Sequence, residues 1–208
     1  MKFDADAIKK AESNVAQYLR EGLLKKDAEN TQFSGFYMGN AKTALLVARH
    51  LQKLSTDTET KKKNGFPEGF ECFLWVIVAS YYSMFYTANA ALAKAKIKVG
   101  EKIAHRVTQD ALIVYFIKNK KLAKYLLEDY ESTKNEVLSL MGLTGEELLK
   151  EFQVKAEGLI ATFDYQRRKR GEFQYEIKTP AKENIAKLAL ERAERFIQEM
   201  AKAIGRLN

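Results

Sequence analysis

Residues 72–93 read CFLWVIVASYYSMFYTANAALA, a run of 22 residues without a charged side chain. A run of this length can span a bilayer as a helix. Its second half, however, is crowded with hydroxyl and amide groups, from Ser80 and Tyr81 to Thr87 and Asn89, which a membrane helix would have to supply with partners. No second comparable run occurs in the chain. We therefore expect a central helix that its neighbours bury on most sides, and no membrane partner.

Apolar residues recur every three or four positions on both sides of this run, as amphipathic helices require. The polar, glycine-containing stretch 55–69 is predicted to be a loop, and no long alternation of period two predicts a hairpin. The fold class expected is all-α, an up-and-down helical bundle in one domain that covers residues 1–208. The further predicted helices cover residues 5–25, 34–55, 103–117, 120–140, 152–175 (with Gly142 as a stop and Thr144–Glu147 as a capping box) and a last helix with Thr179 as its cap and Pro180 in its first position.

The composition limits the classes of function. The 208 residues include 35 Lys and Arg against 27 Asp and Glu, which gives a net charge of +8. A basic balance favours a polyanionic partner such as nucleic acid, although a solvated lysine-rich surface gives the same count.

Cysteine and histidine are scarce. One cysteine, Cys72, and two histidines, His50 and His105, do not provide the ligands of a structural zinc site, so we expect no metal of that kind. This count does not bear on metal sites built from carboxylates. We also expect no cofactor. The single thiol and the absence of a signal peptide predict a reducing, cytoplasmic location.

Residues 164–176 read DYQRRKRGEFQYE and contain four consecutive cations, Arg167, Arg168, Lys169 and Arg170. On a helix, Arg168 lies one turn after Asp164, and Glu172 and Tyr175 continue the same side. This stripe is either a salt-bridged solvent face or a face that binds phosphate. A second candidate group is Lys102 with His105, at the predicted start of a helix, where a lone histidine is more often a surface or packing residue.

Three pieces of the chain, in this order, resemble the HEPN superfamily of helical bundles. They are the aromatic helix around Tyr81, the Lys102–His105 element, and the arginine-rich segment followed by a final helix that contains Ala193–Phe196. The resemblance covers about residues 36–205, which leaves the predicted N-terminal helix as an addition to the HEPN-like core.

The resemblance implies a homodimer that cleaves or binds RNA, in some members beside a small nucleotidyltransferase that neutralises it. One subgroup carries the motif Arg-x4-His-x-Tyr, which Arg168 and Tyr175 match here, while Phe173 stands in place of the histidine. Cleavage of RNA without a metal needs a group that accepts the 2′-hydroxyl proton, and phenylalanine cannot do this. In that subgroup the tyrosine is also a target for adenylylation, which makes Tyr175 a candidate.

The sequence thus predicts an RNA- or nucleotide-binding bundle without robust catalysis. Its phosphate contacts would come from Arg167 to Arg170 and from Lys102. One alternative is a ribonuclease of the toxin–antitoxin type that uses Arg168 with Tyr175 or His105. The other alternative is a protein-interaction module, in which the basic segment is a salt-bridged dimer surface.

Overall fold

The computed structural model describes residues 5–140 and 179–207 of the chain. Within these residues the fold is a bundle of seven helices with a single two-stranded ribbon, which confirms the all-α prediction. The elements in chain order are α1 (Ala5–Arg20), β1 (Leu24–Lys26), a 3₁₀ turn (Ala28–Phe33), α2 (Ser34–Thr56), α3 (Thr58–Lys63), α4 (Phe73–Lys94), β2 (Ile97–Val99), α5 (Ala104–Leu112), a π-helical turn (Ile113–Ile117), α6 (Lys124–Leu140) and α7 (Thr179–Gly205).

Helix α4 lies at the centre of the bundle, as its charge-free sequence predicted. Met84, Ala88 and Leu92 on this helix are inaccessible to solvent, and alanines fill most of its last two turns. Small side chains allow neighbouring helices to approach closely, and α2, α6 and α7 all pack against α4. Among the described residues, no helix combines the length and the apolar character needed to cross a membrane.

Side-chain contacts fix the directions of the main helices. Helices α2 and α4 run antiparallel, because Ser34 at the start of α2 donates a hydrogen bond to the carbonyl of Ala90 near the end of α4 (2.9 Å). At the other end, Ser55 of α2 lies 3.1 Å from Cys72, just before α4. Near the start of α7, Lys182 lies 3.6 Å from Glu71, so α7 runs parallel to α4.

The two-stranded ribbon was not predicted. β1 pairs antiparallel with β2, with Leu24 opposite Val99 and Lys26 opposite Ile97. Each strand has three residues, too few to produce an alternating pattern in the sequence. The amide of Gly100 donates to the carbonyl of Leu23 (2.8 Å) and extends the pairing by one bond.

Three local predictions from the sequence were wrong. Helix α1 ends at Arg20 rather than near residue 25, because Gly22 turns the chain with a left-handed φ of +72°. The predicted loop 55–69 contains the short helix α3, whose first turn Asp57 caps by accepting a hydrogen bond from the amide of Glu59 (3.1 Å). The helix predicted over 120–140 is α6, which begins only at Lys124, whereas the predicted helix 103–117 corresponds to α5 and the π-helical turn that follows it.

Candidate functional site

His105, which the sequence singled out, lies inside the bundle in the first turn of α5. The residue is 7% exposed, and its ring packs against aromatic rings of α4, with its centroid 4.1 Å from that of Phe85 and 5.5 Å from that of Tyr81. The Tyr81 hydroxyl and His105 Nδ1 share a hydrogen bond of 2.7 Å, and the Tyr130 hydroxyl of α6 lies 3.5 Å from that of Tyr81. We call Tyr81, Tyr82, Phe85, His105 and Tyr130 the histidine cluster.

Burial displaces the protonation equilibria of this cluster. It lowers the pKa of His105 from 6.5 to about 4, and the nearby Lys134 ammonium acts in the same direction. It also raises the pKa of Tyr81, Tyr82 and Tyr130 above the usual value for a phenol. At neutral pH the imidazole is therefore uncharged, and the three phenols keep their protons.

Lys102 and His105 do not form a common site. Lys102 is exposed in the turn that precedes α5, whereas His105 is buried. Between them, Ile103 adopts a left-handed φ of +47° immediately before the helix begins. A β-branched residue rarely adopts this conformation, and here it separates an exposed lysine from a buried histidine.

A second buried group joins α1 to α5. The Asp110 carboxylate accepts hydrogen bonds from the Tyr18 hydroxyl (2.9 Å) and from the Asn14 amide (3.0 Å), both on α1. Next to it, Gln109 of α5 donates to Glu131 of α6 and accepts from Lys134. We call these six residues the carboxylate cluster.

Burial dominates the electrostatics of the carboxylate cluster as well. It raises the pKa of Asp110 and Glu131 and lowers the pKa of Lys134. The pKa of Tyr18 rises to about 12, through burial first and then through the charge of Asp110. Among the described residues, no group of three or more His, Cys, Asp or Glu side chains is placed to hold a metal ion.

The turn between the π-helical turn and α6 carries a dense set of lysines, KNKKLAK at residues 118–124. The amide of Lys120 donates to the carbonyl of Ile117 (3.0 Å), and that of Lys121 donates to the carbonyl of Phe116 (2.8 Å). Lys120 adopts a left-handed φ of +55°. These features form a Schellman turn, which usually has glycine at the left-handed position. The buried Leu122 anchors the turn, so the lysines beside it face solvent.

This turn faces the last part of α7 across an open cavity of about 450 Å³. We call the cavity the basic cleft. Its lining includes five cations and one carboxylate, together with apolar residues such as Leu126 and Ala203. The Glu199 carboxylate is paired with Lys202 at 2.7 Å. The cations are Lys120, Lys121, Lys124, Lys202 and Arg206.

The net positive charge of the chain comes from residues outside the arginine-rich segment and its surroundings. Residues 141–178 contain seven acidic and seven basic side chains and so carry no net charge. The excess of +8 therefore belongs to the rest of the chain, where the basic cleft concentrates five cations around one cavity.

Most of the sequence-predicted site residues lie outside the described part of the chain. These are Arg167, Arg168, Lys169, Arg170, Phe173 and Tyr175, together with the predicted stop at Gly142, the capping box Thr144–Glu147 and the helix 152–175. Their predicted roles stay predictions, and so does a meeting of Arg168 with His105.

Sequence reasoning missed the basic cleft. The sequence did contain a signal for the lysine-rich turn that forms one side of the cleft, because four lysines in seven residues between two helical patterns indicate an exposed basic turn. The other half was not visible, since Lys202 and Arg206 look like ordinary solvent positions of the last helix. It is the fold that brings these two regions of the chain together.

The chain was compared with protein-family models, with curated proteins and with solved structures, and none of the three comparisons gives a match.

Proposed function

We propose that this protein is a HEPN-like helical bundle that binds RNA or a nucleotide through phosphate groups in the basic cleft, without robust catalysis. The observation that carries the proposal is the composition of the cleft, five cations against one carboxylate. A cavity of about 450 Å³ falls within the range of small-molecule sites. Exposed lysines around an open cavity attract polyanions over a distance and hold phosphates as point charges.

The state of His105 supports the non-catalytic form of this proposal. A general base must come within about 3 Å of the proton that it removes. The His105 ring packs from α5 against the aromatic rings of α4, and its Nδ1 shares a hydrogen bond with Tyr81. The imidazole of His105 is buried, and Phe173, at the motif position, has no imidazole. Neither residue can therefore act as a general base on an RNA backbone in the cleft.

A homodimer, which the resemblance implies, is also part of the proposal. Three apolar side chains of α2 are exposed: Phe36 and Leu46 are each 62% exposed, and Val47, which follows Leu46, is exposed as well. Apolar side chains grouped on one face favour contact with another protein surface. The same observation favours the second candidate function, a protein-interaction module, and sedimentation equilibrium of the purified chain tests for a dimer.

The main test is fluorescence anisotropy of a labelled single-stranded RNA at about 50 and 200 mM salt. The cleft variant is Lys120→Asn combined with Lys121→Gln, in which asparagine suits the left-handed position. The logarithm of the binding constant falls linearly with the logarithm of the salt concentration, and each lost phosphate contact on a single strand reduces the steepness of this line by about 0.7. For the double variant we therefore expect a salt slope that is less steep by about 1.4, and clearly weaker binding.

The matched control removes two exposed lysines from α1, Lys9→Gln with Lys10→Gln, and should bind like the parent. Both double variants change exposed side chains, so the free energy of unfolding should move by less than about 0.5 kcal/mol. An Arg168→Ala arm reports on the arginine-rich segment, and a denaturing gel of the same samples reports cleavage. Binding that is insensitive to salt, or equal in parent and cleft variant, would remove the cleft from the proposal. Cleavage of the RNA would restore the ribonuclease alternative.

A further inference from the structure

An exposed tyrosine lies at the edge of the basic cleft. Tyr125 is the second residue of α6, between Lys124 and Leu126, both of which line the cleft. Its side chain is 46% exposed, whereas Tyr130 on the same helix is fully buried. The Tyr125 ring therefore presents aromatic surface to solvent next to Lys124, one of the cations of the cleft.

The Tyr125 ring contacts an arginine that belongs to an ion-pair network between α6 and α7. The Arg195 guanidinium lies over the ring, with Cζ 5.8 Å from the centroid. Arg195 is itself fixed, because its Nε and Nη2 donate to Asp129 Oδ2 at 3.0 and 2.7 Å. Arg192, which donates to Glu136 (2.6 Å), lies 3.8 Å from the same Asp129 carboxylate. A ring that contacts a fixed guanidinium loses less conformational freedom when a ligand stacks on it than a ring without such a contact.

Three cations and one carboxylate along α7 form a strip near Tyr125 that is longer than one nucleotide. Arg195, Glu199, Lys202 and Arg206 follow one another at spacings of four, three and four residues, so they share one face of α7. The rise of an α-helix makes this strip roughly 16 Å long. Tyr125 and Arg195 lie at one end of the strip and Arg206 at the other, with Lys124 from α6 in the same cleft.

We propose that the basic cleft takes single-stranded RNA, with one base stacked on Tyr125 and the neighbouring phosphates held by Lys202 and Arg206 on the strip and by the lysines of the facing turn. This inference rests on the proposed phosphate-binding function of the cleft, and it names the class of ligand. In a duplex the bases are already stacked on each other, so a duplex presents phosphates but no free base face. A mononucleotide would use one end of the strip only.

The expected effect follows from the energy of stacking on an aromatic side chain. Such stacking contributes about 1–3 kcal/mol per base, which corresponds to roughly 5- to 150-fold in the dissociation constant. It depends on the ring and not on the hydroxyl, so Tyr125→Phe should bind like the parent. Tyr125→Leu keeps an apolar side chain of similar size and removes the ring.

The test is anisotropy with three ligands: a labelled single-stranded oligoadenylate of about ten nucleotides, a duplex RNA of equal length, and ATP as a competitor. The proteins are the parent, Tyr125→Leu, Tyr125→Phe and the double cleft variant Lys120→Asn/Lys121→Gln. We expect Tyr125→Leu to weaken single-strand binding by at least 5-fold, with an unchanged salt slope and unchanged duplex binding. Urea unfolding should confirm that the exposed Tyr125 can be replaced without loss of the fold.

The outcomes separate this inference from the function on which it rests. If the double cleft variant weakens binding and Tyr125→Leu does not, stacking is overturned and the phosphate-binding proposal stands. If the parent binds duplex as tightly as single strand, or ATP competes at the concentration of the oligonucleotide, single-strand selection is overturned. If the parent binds none of the three ligands, the proposed function falls and the inference falls with it.

Discussion

The histidine cluster and the basic cleft both collect ionisable side chains, but they differ in access to solvent. In the histidine cluster, burial has lowered the pKa of His105 to about 4 and closed the ring off from any ligand. In the basic cleft, the lysines of the turn are exposed around an open cavity. A displaced pKa is often taken as a sign of a functional site. In this protein it accompanies packing, and the groups available to a ligand lie elsewhere.

The sharpest test of this contrast uses one substitution at two positions of α6. Tyr130→Ala removes a fully buried ring that packs against Phe196 and reaches the Tyr81 hydroxyl, so it should cost about 3–5 kcal/mol of unfolding free energy. Tyr125→Ala, five residues earlier, removes a ring of the same size that is half exposed, and should cost less than about 1 kcal/mol.

Urea unfolding of both variants measures the difference. Similar losses at the two positions would mean that Tyr125 is as much a part of the core as Tyr130. That result would contradict the distinction between the interior of the bundle and the rim of the basic cleft.

A second prediction concerns the pH dependence of stability that His105 contributes. In the unfolded chain the imidazole takes up a proton near pH 6.5, whereas in the folded chain it stays neutral down to about pH 4. As the pH falls from 7 to 4, the unfolded state therefore binds the extra proton and stability decreases. The full contribution is roughly 3 kcal/mol, since one pKa unit corresponds to about 1.4 kcal/mol.

Unfolding curves of the parent and of His105→Phe between pH 4 and 7 test this value. The gap in stability between the two proteins should change by roughly 3 kcal/mol across that range. His50→Phe, which replaces the exposed histidine of α2, is the matched control. A constant gap for His105→Phe would show that the ring titrates alike in the folded and unfolded chains.

The smallest expected effect concerns the carboxylate cluster, whose buried polar groups have hydrogen-bond partners. Tyr18→Phe removes one of the two donors from α1 to Asp110, and a hydrogen bond to a charged group contributes about 1.5–3 kcal/mol. Because burial raises the folded-state pKa of Asp110, the folded chain takes up this proton at a higher pH than the unfolded chain. Stability from this group thus increases as the pH falls towards the unfolded value, opposite in sign to His105.

The cost of Tyr18→Phe should accordingly shrink at acidic pH, where Asp110 is protonated and needs fewer donors. Unfolding of Tyr18→Phe, Asp110→Asn and the double variant measures the coupling between the two groups. Additive effects would show that the Tyr18 hydroxyl does not act through Asp110.

The helices were predictable because their evidence is local. The absence of charge in residues 72–93 identified α4 as the central helix, and the apolar periodicity of α2 and α7 placed both within a few residues of their observed limits. Corrections were needed where a single residue decides the backbone. Gly22 and Lys120 both turn the chain through left-handed conformations, and no periodic pattern reports such a turn.

The candidate site was less predictable because it depends on contacts between remote segments. The lysines of the turn are visible in the sequence, but their relation to Lys202 and Arg206 appears only when α6 packs against α7. For His105 the prediction failed in the other direction. The residue type suggested a catalytic or binding role, whereas its burial against Tyr81 and Phe85 indicates a role in packing.

The ribbon of β1 and β2 has a consequence for the rate of folding. It joins Leu24, after the first helix, to Val99, beyond the central helix, so pairing must close a long loop of chain. The entropy of closure grows with loop length, and contacts between distant segments tend to form after local ones. The ribbon is therefore expected to form late, after α2 and α4 have docked. Substitutions in it should accelerate unfolding more than they slow folding.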